Sequence, residues 1–367
     1  MLPILAPAAT PLRFYLGTYT RPGGGAGIYT GILDPETGKL TAPTVAAQAP
    51  DPSFLALSPD GKFLYAALET KEGAVAAYRV EPGGATLAPL NETPAEGAAT
   101  CHVAVDATGH SVLAANYNGG NFAVFPTQPG GSLAPRATLF APCGSGPHPK
   151  RQAQPHAHCI LTDPTGRFAY GCDLGSDRVW AWKLDTARGT LTPLDPPAGI
   201  TPAGAGPRHA AFGAGSRFLY VCNELANTVT VFTRDTASGT LAPLQNIPTL
   251  PENLRADPAF ATAEIACHPT GRWLYVSNRD TTGGGRDTVA VFAIADDGKL
   301  TFLEAAPAGV KVARGFALDP AGRWLLVAGQ EDGRIAVMRI DPATGTLCAT
   351  GQTAAVPAPV CVLFAPR

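Results

Sequence analysis

The alternation of apolar and polar residues in the segment 155–185 predicts a group of short β-strands. Successive side chains from 179 to 184 fall on two opposite faces, with Trp180, Trp182 and Leu184 together on one of them, which is the period-two pattern of a strand. Two β-like runs, 157–162 and 167–172, precede this strand, and residues 191–194 supply a short fourth run. Four antiparallel strands joined by tight turns form a sheet too small to bury its own faces, so we expect it to stack against similar sheets.

This four-strand pattern recurs along the whole chain. A glycine-containing turn between the third and fourth runs appears seven times, with its glycines 46, 47, 58, 50, 59 and 47 residues apart. These glycines are Gly38, Gly84, Gly131, Gly189, Gly239, Gly298 and Gly345. A turn between the first and second runs appears six times, of which the Pro-Thr-Gly-Arg at 164–167 is typical. The repeat length is that of a propeller blade, so the pattern predicts an all-β, seven-bladed β-propeller with four antiparallel strands per blade.

The two ends of the chain take the place of a seventh turn of this kind. Residues 13–18 have the pattern of a second strand and residues 360–364 that of a first strand, so we expect the terminal strands to pair and close the ring. The predicted closing blade is formed by about 12–47 plus 358–366. Because each blade contacts only its neighbours, residues 1–367 are predicted to form a single propeller domain.

Composition argues against several classes of protein. A net charge of −2 with 15% charged residues gives no basic field for nucleic acid, and no apolar run approaches the roughly 20 residues that cross a bilayer. Residues 1–11 lack a basic n-region, so we do not interpret them as a signal peptide. The eight cysteines are spread over the repeats without a CxxC pair, which favours buried thiols in a reducing compartment. We therefore predict a cytoplasmic protein without nucleic-acid or membrane partners, either a monomer or a weak homo-oligomer.

Unusual polar residues collect at one end of the predicted ring. The tight turns within the blades lie at the other end, where their Asp, Gly and Arg residues are explained by turn geometry. The polar end receives the starts of the first strands, with His102, His156, His158, Arg208, His209, Glu264 and Arg314, and the loops 116–121, 173–175, 223–225, 278–280 and 329–331. First strands line the central channel of a propeller, so these side chains are expected to converge on its mouth.

The order and spacing of several short motifs resemble the seven-bladed propeller lactonase family, which includes bacterial 6-phosphogluconolactonases and fungal enzymes that lactonise carboxymuconate. The motifs are Arg-Gln at 151–152, Pro-His-Ala-His at 155–158, Asp-Pro at 163–164, Gly-Ala-Gly-Pro-Arg-His at 204–209, Asn-Glu-Leu at 223–225, Ser-Asn-Arg at 277–279, Arg-Gly-Phe at 314–316 and Ala-Gly-Gln at 328–330. The match spans all seven blades, and the motifs are specific in combination. By this resemblance, His158, Arg208, Glu224 and Arg279 occupy the positions proposed to be catalytic in the family.

These residue types suit the opening of a lactone by water. A carboxylate such as Glu224 or the imidazole of His158 can accept the proton of the water, and arginines can hold the oxyanion that develops. The substrate-binding residues predicted around them are His156, Asp173, His209, Asn223, Arg314 and Gln330. The resemblance favours a small-molecule lactone, 6-phosphogluconolactone of the oxidative pentose phosphate route, as the substrate. The predicted scheme needs no cofactor and no metal.

Structural interpretations of the same residues stay open at this point. Glu224 and Arg208 could form a rim salt bridge without a catalytic role. His156 and His158, two apart on a strand, would point to the same side and could bind a metal ion. Arg151 could be a solvated surface charge as well as a phosphate ligand.

Two other functions also stay open. A muconate-type lactonizing cycloisomerase would use the same anion-binding pocket, with Glu224 protonating a carbon atom. A non-catalytic ligand- or protein-binding propeller is the second alternative. The chain lacks the Trp-Asp dipeptides of WD40 repeats, and its Gly-Gly pairs do not recur at the regular positions of kelch repeats.

Overall fold

The computed structural model describes residues 10–366 as a ring of seven antiparallel sheets, each of four strands. The first strands of neighbouring blades contact one another around the centre of the ring. The closing blade begins with β1 (Leu12–Thr18), β2 (Gly27–Leu33) and β3 (Thr44–Gln48). Blade 1 contains β4 (Pro52–Leu57), β5 (Phe63–Leu68), β6 (Ala74–Val80) and β7 (Leu87–Pro94), and blade 2 contains β8 (Thr100–Val105), β9 (Ser111–Asn116), β10 (Asn121–Pro126) and β11 (Thr138–Phe140).

The remaining blades follow in chain order. Blade 3 contains β12 (Ala157–Thr162), β13 (Phe168–Asp173), β14 (Arg178–Asp185) and β15 (Thr190–Ile200), and blade 4 contains β16 (Pro207–Phe212), β17 (Phe218–Asn223), β18 (Thr228–Arg234) and β19 (Leu241–Pro248). Blade 5 contains β20 (Phe260–Cys267), β21 (Trp273–Asp280), β22 (Thr288–Ile294) and β23 (Leu300–Pro307), and blade 6 contains β24 (Ala313–Leu318), β25 (Trp324–Gly329), β26 (Arg334–Ile340) and β27 (Leu347–Ala355). Two short 3-10 turns, Ala214–Ser216 and Glu252–Leu254, are the helical segments of the described part. None of its helical segments has the length or hydropathy of a membrane-spanning helix.

The C-terminal strand closes the ring. β28 (Pro359–Phe364) pairs antiparallel with β1, so the closing blade takes its first strand from one end of the chain and the other three from the other end. This pairing and the seven-bladed fold confirm the sequence prediction. The predicted domain limits 1–367 and the interpretation of residues 1–11 extend to residues 1–9 and 367, which lie outside the described residues.

One strand is longer than predicted. β15 runs over 11 residues, Thr190–Ile200, where the sequence indicated only 191–194. The prediction was wrong because prolines at 193, 196 and 197 read as the end of a strand. β15 is the outer edge strand of its sheet, so a proline there can leave the hydrogen bonds to β14 intact. A register shift opposite Trp180 and Trp182 accommodates the irregular part of the strand, and β15 continues beyond it to Ile200.

The core consists of seven apolar clusters, one between each pair of neighbouring blades. The alternation in β14 explains how a blade serves two of them. Trp180 and Trp182 pack toward blade 2, and Val179 and Ala181 pack toward blade 4. Each sheet therefore buries both faces, which a single blade could not do.

A repeated side-chain hydrogen bond joins the blades at the face opposite the predicted site. A tyrosine on the second strand donates its hydroxyl to the glycine carbonyl in the third-to-fourth-strand turn of the next blade. The pairs are Tyr15 with Gly84, Tyr65 with Gly131, Tyr170 with Gly239, Tyr220 with Gly298, and Tyr275 with Gly345, at 2.7 to 3.1 Å. Between blade 6 and the closing blade, the indole of Trp324 donates to the carbonyl of Pro35 instead. Five of the seven turn glycines found by the repeat analysis thus accept a hydrogen bond that joins neighbouring blades.

Replacing Tyr220 by phenylalanine is expected to lower the free energy of unfolding by about 1 kcal/mol, because a buried carbonyl loses its partner. The measurement is the denaturant midpoint of the variant beside wild type. Tyr78→Phe is the matched control, since the hydroxyl of this buried tyrosine makes no hydrogen bond within residues 10–366. Equal shifts for the two variants would contradict the role given to the hydroxyl.

Candidate active site

Every first strand carries a β-bulge where it approaches the polar end of the ring. In each blade one extra residue is inserted opposite the second strand. The inserted residues are Ser53, Cys101, His158, Arg208, one of residues 263–264, Arg314 and Val360. A bulge interrupts the strict alternation of a strand and re-aims a side chain. Three of the predicted site residues, His158, Arg208 and Arg314, stand at this one position of three different blades.

Glu224 is the centre of an ion-pair network at the mouth of the ring. Its Oε2 atom lies 2.9 Å from Nε of Arg208 and 3.2 Å from Nη2 of Arg279, and its Oε1 atom lies 2.7 Å from Nη2 of Arg151. The Glu224 side chain is 7% exposed and starts the loop after β17, where its backbone N–H donates to the Gly206 carbonyl. Two neighbouring blades and one long loop therefore converge on a single carboxylate.

The network holds Glu224 ionised. Burial raises the pKa of the Glu224 carboxyl, but the three guanidinium groups, of which Arg279 contributes most, hold that pKa well below its usual range. Burial also lowers the pKa of Arg279 to about 10, so this arginine stays charged at neutral pH. A carboxylate so strongly stabilised in its charged form is a weak proton acceptor.

His158 lies beside this carboxylate as a neutral imidazole. Its Nε2 atom is 4.0 Å from Oε2 of Glu224, and its Nδ1 atom is 3.8 Å from the Cys101 thiol. Burial, reinforced by the charge of Arg208, lowers the pKa of His158 well below its usual range. At neutral pH the ring therefore has an unprotonated nitrogen that can accept a proton.

The two buried arginines keep donors for a ligand. Arg208 uses Nε for Glu224 and Nη1 for the Ala263 carbonyl, and Arg279 uses Nε and Nη2 for the carbonyls of Ala261 and Thr262. Within residues 10–366, Nη2 of Arg208 and Nη1 of Arg279 make no hydrogen bond. Fixed guanidinium groups with unused N–H bonds are suited to bind an oxyanion.

Arg151 belongs to the ion-pair network, although the sequence left open whether it is a solvated surface charge or a phosphate ligand. Its guanidinium bridges Oε1 of Glu224 and the hydroxyl of Tyr117, and 39% of the side chain is exposed. Its loop is anchored next to it by the fully buried Gln152, whose amide donates to Asp177 and to the Leu174 carbonyl. The only sequence signal was its place in the Arg-Gln motif, because nothing local indicates that a long loop folds back over the mouth.

The structure places two of the predicted substrate-binding residues next to this network. His156 lies in the loop before β12, stacked on Tyr117 with ring centroids 4.6 Å apart. Arg314 stacks on Tyr19 and lies 3.9 Å from Glu69, and it makes no hydrogen bond within the described residues. Both side chains therefore border the cluster.

The other predicted substrate-binding residues support loops or lie elsewhere. Asp173 is fully buried and accepts hydrogen bonds from the backbone of His156 and the indole of Trp180. Asn223 is also fully buried, and its amide donates to the hydroxyls of Thr228 and Thr230. These two residues fix the loops that carry the site.

His209 and Gln330 stand apart from Glu224. His209 lies below His158 in the channel and contacts Glu264. Gln330 lines a separate cavity of about 510 Å³ with Tyr19 and Arg21, between blade 6 and the closing blade.

The geometry does not support a metal site at His156 and His158. β12 begins only at Ala157 and is bulged at His158, so the two imidazoles do not follow the alternation assumed for a strand. Across residues 10–366 there is no group of three or more His, Cys, Asp or Glu side chains arranged to hold a metal ion.

The bulged first strands and the arginine-bound carboxylate define a β-propeller with a cluster of charged side chains at the mouth of its ring. A model of the family described as "Lactonase, 7-bladed beta-propeller" matches residues 13–364, and the chain belongs to this family of lactonases, which are carboxylic-ester hydrolases. The 6-phosphogluconolactonase of Bacillus subtilis is 34% identical over 352 residues, which are 95% of this chain and 97% of the relative. The match confirms the family resemblance and the enzyme class predicted from the motifs.

Solved structures agree with this placement. A putative 6-phosphogluconolactonase from Bacteroides fragilis superposes with a TM-score of 0.90 at 32% identity, covering 98% of this chain and 99% of its own. A periplasmic gluconolactonase from Pseudomonas aeruginosa has the same TM-score at 29% identity, covering 97% and 99%. Similar proteins thus carry names for both a phosphorylated and an unphosphorylated sugar lactone.

Proposed function

We propose that this chain hydrolyses 6-phosphoglucono-δ-lactone to 6-phosphogluconate. The observation that carries the proposal is the Glu224 network, in which charged arginines with unused donors face a neutral imidazole. The names of the similar Bacillus and Bacteroides proteins support the phosphorylated lactone as substrate. The product would feed the oxidative pentose phosphate route in the cytoplasm.

His158 is the general base of the proposed reaction. It accepts a proton from water as the oxygen attacks the lactone carbonyl, and it returns that proton to the ring oxygen when the ester bond breaks. The free N–H groups of Arg208 and Arg279 hold the oxyanion of the tetrahedral intermediate. Glu224 keeps these two guanidinium groups in place, and its low pKa supports this positioning role over that of a base.

Arg314 is the proposed ligand of the substrate phosphate. Within residues 10–366 its guanidinium is held by stacking on Tyr19 and by the 3.9 Å contact with Glu69 and makes no hydrogen bond, so its N–H groups are available to an anion. It occupies the bulge position of blade 6, as Arg208 does in blade 4, which directs both toward the same mouth. Arginine is well suited to bidentate phosphate binding.

Arg314→Ala is expected to raise KM for the phosphorylated lactone about 10- to 100-fold, the range of one charge-assisted hydrogen bond, with kcat little changed. Unphosphorylated glucono-δ-lactone should show no comparable change. Arg21→Ala is the matched control, because Arg21 stacks on the same tyrosine but is largely exposed. Equal effects on both substrates would contradict phosphate binding by Arg314.

The proposal as a whole is tested by the rate of hydrolysis of freshly generated 6-phosphoglucono-δ-lactone, corrected for spontaneous opening. Acceleration well above the spontaneous rate, with higher kcat/KM than for glucono-δ-lactone, is the expected result. A preference for the unphosphorylated lactone would give this chain the activity for which the Pseudomonas protein is named. A rate equal to the spontaneous one with both substrates would overturn the proposal.

A further inference from the structure

Another carboxylate, the mostly buried Glu264, lies in the channel behind the candidate site and has no part in the proposed reaction. Its Oε1 atom is 3.0 Å from Nδ1 of His209, whose side chain is 4% exposed. The His209 ring meets the His158 ring edge to face, with centroids 5.2 Å apart and an angle of 68°. With Nδ1–H donated to Glu264, Nε2 of His209 carries the lone pair, and this atom is buried without a hydrogen-bond partner in the described part of the chain.

Glu264 is also the inner end of an opening on the other face of the ring. It lines a cavity of about 360 Å³ together with Phe54, Pro269 and Pro320. The two prolines belong to turns between first and second strands, which lie on the face opposite the candidate site. The Glu264 side chain is 14% exposed, so its carboxylate reaches this cavity while His209 stays sealed behind it.

The surroundings of Glu264 suit a group that gains and loses a proton near neutral pH. Burial raises the pKa of the Glu264 carboxyl to about 7, although the backbone N–H of Ile265 and nearby cations oppose the shift. The charged and titratable groups around it are His209 and Arg208 of blade 4, His102 of blade 2, Arg314 of blade 6, and the thiols of Cys222 and Cys361.

We propose that His209 and Glu264 carry protons between His158 and the central channel, so that the proton released by lactone hydrolysis leaves on the face opposite the substrate. The inference rests on the proposed function, in which His158 is the base. Hydrolysis of a lactone by water gives a hydroxycarboxylate and one proton. That proton remains after the ring oxygen has been protonated, because the new carboxylic acid ionises beside the charged arginines.

Each transfer has a named donor and acceptor. His158 takes the proton of the carboxylic acid and passes it to Nε2 of His209. His209 then gives up its Nδ1 proton to the Glu264 carboxylate, and Glu264 releases a proton to water in the channel. His209 is left with its remaining proton on Nε2. The path is reset when Glu264 takes a proton from channel water and returns it to Nδ1, and the ring then turns to give its Nε2 proton to Glu264, which releases it to water. The two rings are in contact without a hydrogen bond between them, so the first transfer requires one ring to turn about its Cβ–Cγ bond, a motion typical of histidine shuttles.

Glu264→Gln tests the path, because the amide keeps the size of the side chain and can still accept from His209 but cannot take up its proton. With 6-phosphoglucono-δ-lactone in about 1 mM buffer, we expect kcat to fall about 10-fold and KM to stay unchanged, a modest loss for proton transfer. Raising the concentration of imidazole at constant pH and ionic strength should restore kcat in the variant and leave wild type unaffected. Spontaneous opening is measured without enzyme at every imidazole concentration.

Two further variants separate proton transfer from a structural effect. Glu264→Ala widens the cavity and should be restored by imidazole more fully than Glu264→Gln. Cys361→Ala also changes the wall of this cavity but lies outside the path, and its rate should be independent of imidazole. Wild-type kcat in Glu264→Gln, or a fall in kcat that imidazole does not restore, would overturn the path. A wild-type enzyme inactive on the lactone would instead overturn the proposed function.

Discussion

Glu224→Gln is expected to lower kcat/KM about 10²- to 10³-fold and the free energy of unfolding by about 3–5 kcal/mol. The amide is nearly isosteric but carries no charge, so Arg208 and Arg279 would be left buried without their counter-ion and would repel each other. Activity falls because these guanidinium groups lose the position from which they bind the oxyanion. Denaturant unfolding and the lactonase assay of the same preparation measure the two effects.

An exposed ion pair provides the control for this variant. Glu36 pairs with Arg323 at 3.0 Å on the surface, and both side chains are about half exposed. Glu36→Gln is expected to change the free energy of unfolding by less than about 1 kcal/mol, because surface pairs contribute little. Similar losses for Glu36→Gln and Glu224→Gln would contradict the central role of the buried network.

The same network predicts how stability depends on pH. The pKa of Glu224 is lower in the folded protein than in the unfolded chain, so the folded state is stabilised while the carboxylate is charged. This contribution is fully present above the unfolded pKa of about 4.5 and is lost as the pH falls below it. In Glu224→Gln the acid limb of the stability curve should be shallower than in wild type.

His158→Asn is expected to lower kcat about 10²- to 10⁴-fold, the range for loss of a general base, with a small change in stability. In the described part of the chain the polar contacts of the imidazole are long, 3.8 Å to Cys101 and 4.0 Å to Glu224, so its removal breaks no strong hydrogen bond there. Single-turnover rates with the phosphorylated lactone, together with thermal midpoints, measure the two quantities. His110→Asn, on an exposed turn, is the control and should retain wild-type rates.

The pH–rate profile gives a second test of His158. A base must be unprotonated, and the pKa of His158 lies well below 6.5. In buffer concentrated enough to carry protons in place of Glu264, kcat should therefore stay level from neutral pH to below 6.5 and fall only at more acidic pH. A histidine base with an ordinary pKa would lose half its activity near 6.5. An inflection at the ordinary value that persists in His158→Asn would assign the base to another group.

The sequence predicted the fold well because the repeat is local. Turn glycines such as Gly189 and Gly239 recur at the length of a blade, and each strand alternates within its own few residues. The closure by β1 and β28 followed from counting incomplete repeats. Strand ends were less predictable. The prolines of β15 have no N–H group to donate, and the strand tolerates them because its outer edge has no neighbouring strand that would accept a hydrogen bond.

The grouping of side chains at the mouth of the ring was predicted in part. The resemblance and the strand directions brought His158, Arg208, Glu224 and Arg279 to one place, as the structure has them. The contact of Arg151 with Glu224 was not predicted, because it depends on the path of a long loop that no local sequence pattern encodes. Asp173 was predicted to bind the substrate because it lies in a loop at the mouth of the ring. The sequence does not show whether such a carboxylate faces a ligand or, as here, accepts a hydrogen bond from the backbone of a neighbouring loop.

The bulge shared by all seven first strands lets the side chain at the mouth vary independently of the packing between blades. Each blade presents one residue at an equivalent backbone position, and the side chain there is not required to pair, alternate or fill the core between blades. At present these positions hold residues as different as Ser53, Cys101, His158, Arg208 and Val360 on nearly the same scaffold. The residues at the seven bulge positions can therefore be substituted one at a time without changing the blades, and a single substitution of this kind is a route to a new substrate preference.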